Sequence, residues 1–318
     1  MNTWNTSLIT NMSSLFSGMS TFNTDIGAWD TSKVTDFSNM FRDAAFFDQD
    51  ISSWVLANSA SVNQPISMKA MFAGATLFNA PIGAWDTSSV ADMSEMFLMA
   101  QNFNQELDMW DTSKVTDMTS MFKSCHKFDP IGLDSWNVSQ VTSFEYMFLD
   151  AKVFKGNVGT WQLDSATSMR RMFEGALTFN QDLSGWDVNT VIDMDYMFAN
   201  ALSFSQQICW DLHPQVSMTD TLMSTNGATI DSISSTTCGG GGGSPTVSRS
   251  PTPQPSTSGG QSNPAPSRAP TAAPSAGGGG GPAAKPTSEP TSDSGGGGGG
   301  TNDDNGGGGG GGGGGTND

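Results

Sequence analysis

Residues 29–36 read WDTSKVTD, and residues 110–117 read WDTSKVTD again. A phrase of this length does not recur by chance in 318 residues, and the tryptophans explain it. The nine Trp are Trp4, Trp29, Trp54, Trp85, Trp110, Trp136, Trp161, Trp186 and Trp210, spaced 24 to 26 residues apart except for one gap of 31. The duplicated phrase lies three repeats apart. A fixed period in the 20–50 residue range is the mark of a stacked array, in which no single unit can bury its apolar face alone.

Counting each repeat from its Trp as position 1, the composite reads W-D-T-S-x-V-T-D-M-S-x-M-F-x-x-A-x-x-F-N-Q-D-I. Phe holds position 13 from Phe16 to Phe198 and position 19 from Phe22 to Phe204, while Phe37 and Phe144 replace Met at position 9. These three columns hold 18 of the 19 Phe, which leaves almost nothing for a core outside the repeat.

Positions 9, 12, 13 and 16, as in Met118, Met121, Phe122 and Cys125, are spaced like one face of a helix. Position 8 before them is always Asp, Asn or Ser, the residues that cap a helix N-terminus. Position 15 is often Gly, Asp or Asn (Gly18, Asp43, Gly74, Asp150, Gly175, Asn200), which tolerate the left-handed residue that ends one. A helix of about two turns is therefore predicted in each repeat. Val or Ile at position 6 (Val34, Val115, Val141) and Ile, Leu or Val at position 23 (Ile26, Ile82, Leu183) predict short strands stacked in parallel about 4.8 Å apart, a rod of roughly 40 Å. The expected fold class is an α/β repeat solenoid with short parallel strands and one short helix per turn.

The array occupies residues 1–238, with an insertion near 55–67, VLANSASVNQPIS, read as a loop on one face. Residues 239–318 are Gly, Pro, Ser and Thr with a ten-glycine run, too apolar-poor to order themselves, so a disordered tail is expected. Its TPQPSTS, SRAPTAAPS and KPTSEPTS stretches read either as an O-glycosylated stalk or as plain linker. Trp4 already occupies position 1 with no polar cap before it, so further sequence upstream is expected.

The net charge is −18, and residues 1–238 carry 26 acidic against 10 basic side chains. With no Lys/Arg cluster to neutralise phosphates, nucleic acid is excluded as a partner. No apolar run approaches the ~20 residues of a membrane helix, and no signal peptide opens the chain.

No catalytic, cofactor-binding or metal site is expected. His126 and His213 lack a partner at a triad or ligand spacing, and no nucleotide, hydrolase or metalloprotease motif occurs. The Asp at position 2 (Asp30, Asp86, Asp111, Asp187, Asp211) and position 8 (Asp36, Asp92, Asp117, Asp193) suggest calcium, but Asn, Ser, Val and Gln interchange with them, so they are read as caps or turns. Asn23, Asn79, Asn104 and Asn180, with Asp48 and Asp129, stand at position 20, where stacked side chains can satisfy turn backbone. Cys125 fills a small core slot; Cys209 and Cys238 are either a disulfide closing the last turn or free thiols. Asn5, Asn11 and Asn137 begin N-x-S/T sequons that fall on repeat positions 2 and 8.

The repeat resembles the BspA-like surface-protein family, on VTDMTSMF at 115–122 and FNQDLSGWD at 179–187, over about residues 4–223. The resemblance implies a leucine-rich-repeat-like solenoid in a cell-surface or extracellular setting. It implies a non-enzymatic interaction module for adhesion, binding a protein or an extracellular polymer. A structural spacer without a specific ligand is the alternative, and a polysaccharide-acting enzyme a distant one. Met, Phe and Trp hold the slots that Leu takes in standard leucine-rich repeats.

Overall fold

The computed structural model describes residues 4–57, 64–232 and Cys238. The chain divides into two bodies, Met1–Val247 and Ser248–Asp318, and the described residues all fall in the first. The tail expected over 239–318 and the inserted residues 58–63 lie outside the described residues.

Each repeat is bonded to the next through its backbone. At positions 9, 11, 13 and 15 the amide donates to the carbonyl at positions 8, 10, 12 and 14 of the following repeat. In the fourth repeat these bonds are Met93 to Asp117 (3.3 Å), Glu95 to Thr119 (2.8 Å), Phe97 to Met121 (2.9 Å) and Met99 to Lys123 (2.8 Å). The even-numbered amides turn inward on their own repeat: Met96 N–H donates to Met93, Leu98 N–H to Glu95 and Ala100 N–H to Phe97.

That division of labour replaces the predicted helix. Among the described residues there is no α-helix, and one 3-10 helix, Leu133–Ser135. A helix would commit every amide to a carbonyl four residues back; here half of them leave for the neighbouring repeat. The segment is a run of tight turns with left-handed residues at position 11 (Asn39 φ 58°, Glu95 φ 58°, Tyr146 φ 59°) and position 15 (Asp43 φ 58°, Met99 φ 59°, Asn200 φ 59°). Position 15 is where the sequence placed residues tolerant of that conformation. At Gly74 (φ 71°) and Gly175 (φ 68°) a side chain would also collide with Asp43 and Asp150 of the repeat before.

The strands are shorter than expected. β1 (Ile66–Ser67) and β2 (Val90–Asp92) pair in parallel, and elsewhere the pairing narrows to single parallel bridges along position 8, from Asn11↔Asp36 to Asp193↔Ser217. Position 23 forms a strand only at Ile208, in β3 (Gln207–Trp210), which pairs in parallel with β4 (Thr229–Ser232). The other position-23 residues (Ile26, Ile51, Ile82, Leu107, Val158, Leu183) are fully buried without strand partners. Cys209 of β3 is bonded to Cys238, which closes the last repeat, while Cys125 is a buried free thiol.

The core is a set of side-chain columns. Successive position-13 rings stack with centroids 5.5–5.7 Å apart, and successive position-19 rings 5.8–6.1 Å apart. Within a repeat the two Phe lie face to face, as in Phe122 and Phe128 at 3.9 Å. The indoles stack too, Trp110 on Trp136 at 6.4 Å and Trp136 on Trp161 at 6.3 Å. From Trp54 to Trp210 every Nε1–H is spent on a buried carbonyl near the preceding repeat's start, such as Trp136 on Leu107 (3.0 Å). Phe46, the one Phe outside the three columns, is the exposed one.

Candidate interaction face

The outer surface is built from polar columns, and most of them are occupied by the chain itself. At position 2 the side chain accepts from the residue two further on: Asp30 takes both the amide and the hydroxyl of Ser32 (3.0 and 2.6 Å), and Asn5 and Asn137 do the same with Ser7 and Ser139. Position 8 repeats the device, with Asp92 accepting from Ser94 and Asp117 from the amide of Thr119. Asp50 and Asp182 at position 22 accept from the amides of Ser52 and Ser184. These are turns closed by the side chain, the alternative to helix caps that the same residue types provide. The bonds to Ser32, Ser52 and Ser113 hold Asp30, Asp50 and Asp111 below the usual carboxylate range. Of the nine Asp suggestive of calcium, all but Asp211 thus accept the amide two residues on, and no group of three His, Cys, Asp or Glu able to hold a metal is found among the described residues.

Position 20 forms a ladder. Oδ1 of Asn23, Asp48, Asn79, Asn104 and Asp129 each accepts the amide of the same position one repeat on, at 2.7–3.0 Å, and Asn180 accepts from Ser205. The run is interrupted at Lys155, which has no oxygen to offer Asn180. His126 and His213 are both partly buried, and His213 Nδ1 accepts from the Gln215 amide (3.1 Å). Of the sequons, Asn11 is tied down, its Nδ2 donating to Asp36 (3.0 Å).

One part of the surface differs. At positions 10, 11 and 14 of the turn run the stack gathers both tyrosines of the chain and Arg42, Arg170 and Arg171, all of them partly exposed. Lys123 Nζ lies 5.1 Å over the Tyr146 ring, and the Arg171 guanidinium 4.6 Å over the Tyr196 ring. Arg171 also pairs with Glu174 (3.0 Å), and Arg170 stands between Asp193 (3.7 Å) and Asp195 (3.6 Å). The Tyr146 hydroxyl, more than either carboxylate, raises the Arg170 pKa. The bonds Asp195 accepts, first from the Ser217 hydroxyl (2.6 Å) and then the Thr219 amide, lower its own. Arg42 reaches past the third repeat to Glu95 (3.3 Å) because Ala70 and Ala73 hold positions 11 and 14 between them. The result is a lateral strip of alternating charge and aromatic rings over the fifth to eighth repeats. Sequence reasoning missed it, although the signal was present in the repeat register: the only two Tyr share position 11.

The family described as "Mycoplasma protein of unknown function, DUF285" matches residues 1–65, 60–132 and 129–235. The chain belongs to this family. Its three DUF285 matches run over the whole described array, each taking in two to four of the nine tryptophans. The inserted segment falls where the first two DUF285 matches meet. No curated protein and no solved structure matches the chain.

Proposed function

We propose that this DUF285 chain is a non-enzymatic interaction module at the cell surface or outside the cell, a solenoid of BspA-like kind that presents its lateral strip to a protein or an extracellular polymer. The carrying observation is the Tyr146–Arg170–Arg171–Tyr196 cluster. Tyr and Arg are the side chains that most often dominate binding energy, and here they stand on rigid, mutually bonded repeats. The Cys209–Cys238 disulfide supports the setting, since such bonds persist in oxidising compartments.

A structural spacer is the second reading. It is favoured by the internal pairing of the strip, where Arg170, Arg171, Asp195 and Glu174 all have partners within the chain.

Immobilised extracellular proteins and polysaccharides, probed with the whole chain, separate the two. The interaction reading expects saturable binding that falls at least tenfold, about 1.4 kcal/mol, in Tyr146→Ala and Tyr196→Ala at unchanged melting temperature. Binding to none of them, or binding indifferent to both substitutions, removes the strip from the account.

A further inference from the structure

Seven lysines and three arginines are the only cationic side chains of residues 1–238 apart from the histidines, and 26 acidic side chains oppose them. Four of the seven lysines fall together. Lys123 and Lys127 hold positions 14 and 18 of the fifth repeat, and Lys152 and Lys155 hold positions 17 and 20 of the sixth. Lys127 and Lys152 are 25 residues apart in the chain, so the sequence shows no basic run; stacking brings their repeats together.

The edge that carries them is held rigidly. At positions 17 and 18 the repeats are laced to one another. The amides of Phe46, Leu77, Asn102 and Ser203 donate to the position-17 carbonyl of the repeat before at 3.0–3.1 Å, and Thr178 Oγ1 donates to the Lys152 carbonyl (3.2 Å). Beside the lysines the Phe128 and Phe154 rings stack at 6.1 Å. Lys127, Lys152 and Lys155 are exposed, and Lys123 is partly so. Lys155 pairs with Asp129 (3.1 Å), and Lys123 lies over the Tyr146 ring. Lys127 and Lys152 form no ion pair among the described residues. Over positions 14–20 these two repeats set four lysines against Asp129 and Asp150, a local positive surplus on an acidic body. To either side the same edge offers amides and hydroxyls: Asn102 and Asn104 on the fourth repeat, Thr178 and Asn180 on the seventh, all partly or fully exposed.

We infer that this edge, over the fifth and sixth repeats, binds an acidic polysaccharide, a linear sugar polymer bearing carboxylate or sulfate groups. The inference rests on the reading of the chain as an extracellular interaction module and gives the polymer its chemistry. Lys127 and Lys152 supply the attraction for the anionic groups, and the flanking amides and hydroxyls suit sugar hydroxyls. Charge density selects the occupant. The fourth repeat, residues 85–109, has five acidic side chains and no Lys or Arg, so a polymer as densely charged as duplex DNA, with one charge per ~1.7 Å, is repelled beside the lysines. A sugar polymer spaces its charges by whole rings and fits a short patch. The contact is made by exposed point charges, so it weakens as salt shortens the screening length from about 30 Å at 0.01 M to about 8 Å at 0.15 M.

The whole chain passed over immobilised heparin, polygalacturonate and neutral dextran tests this. Saturable binding to at least one acidic polymer is expected, falling with added salt, with none to dextran. Lys127→Gln/Lys152→Gln is expected to weaken it about tenfold or more at unchanged melting temperature, since both side chains are exposed. Lys33→Gln/Lys114→Gln removes the same charge from exposed position 5 and is expected to leave binding unchanged. Tyr146→Ala and Tyr196→Ala separate the edge from the lateral strip. Binding lost with the lysines and kept with the tyrosines supports the edge and removes the strip; binding lost with the tyrosines and kept in Lys127→Gln/Lys152→Gln belongs to the strip and overturns the edge. No binding to either acidic polymer, equal losses in the two lysine pairs, or tighter binding to duplex DNA or poly-glutamate overturns the inference as well.

Discussion

Replacing Ser120 by Gly is expected to stabilise the protein, and the sign is the point. Ser120 stands at position 11 with φ 57°, its amide on Glu145 of the next repeat (2.8 Å) and its carbonyl accepting from Lys123 (3.2 Å). An L side chain in the left-handed region costs roughly 1–2 kcal/mol, which Gly avoids. Gly gives back about 0.5–1 kcal/mol through the greater freedom of the unfolded chain. The net expectation is a gain of about 0.5–1 kcal/mol. Ser124→Gly, at position 15 with φ 59°, should behave alike, and Ser120→Ala should give no gain. Had positions 9–16 been the helix that their apolar spacing suggests, the order would reverse: Gly would cost about 0.5 kcal/mol or more relative to Ser, and Ala would help. Urea midpoints at constant slope measure the difference. A loss of stability in both Gly variants with a gain in Ser120→Ala would refute the left-handed turns on which the stacking register depends.

Cys209→Ser/Cys238→Ser should destabilise the end of the array by about 3–4 kcal/mol, the chain-entropy value for a loop closed over a separation of 29 residues. Hydrogen exchange should show Thr229–Ser232 opening first. Lys155→Asn should mend the gap in the position-20 ladder by giving the Asn180 amide an acceptor, for a gain of about 0.5–1 kcal/mol. The exposed pair with Asp129 (3.1 Å) that it removes is worth less, and unchanged or lower stability would count against the ladder. Asp30, Asp50, Asp111 and Asp195 have folded-state pKa values below the ordinary 3.8. Their contribution is complete above the unfolded value of about 4 and is lost as pH falls through the lower folded values. Urea midpoints should therefore decline below pH 4 and hold level above it on this account. Asp111→Asn should flatten that decline.

The repeat, its length and its inward columns were legible because they depend on side-chain chemistry that recurs in the chain. Trp, Phe and Met at fixed positions leave no other way to bury themselves than on their own copies, and the columns from Phe16 to Phe198 and Phe22 to Phe204 stack accordingly. The position-20 bonds were equally readable, since Asn and Asp carry the required oxygen. The local conformation was not. Two residues in and two out, as at Met169, Arg170, Arg171 and Met172, is the burial pattern of a helix and equally of consecutive tight turns, so periodicity could not separate them. What separates them is the destination of the backbone amides, and that destination lies on another repeat 23 to 30 residues away. Non-glycine residues such as Glu95 and Tyr146 accept a left-handed backbone only because the neighbouring repeat supplies the bond that holds them there. The same holds for the lateral strip. Lys123, Tyr146, Arg171 and Tyr196 are unremarkable apart in the chain, and only the stacking distance brings cation and ring together.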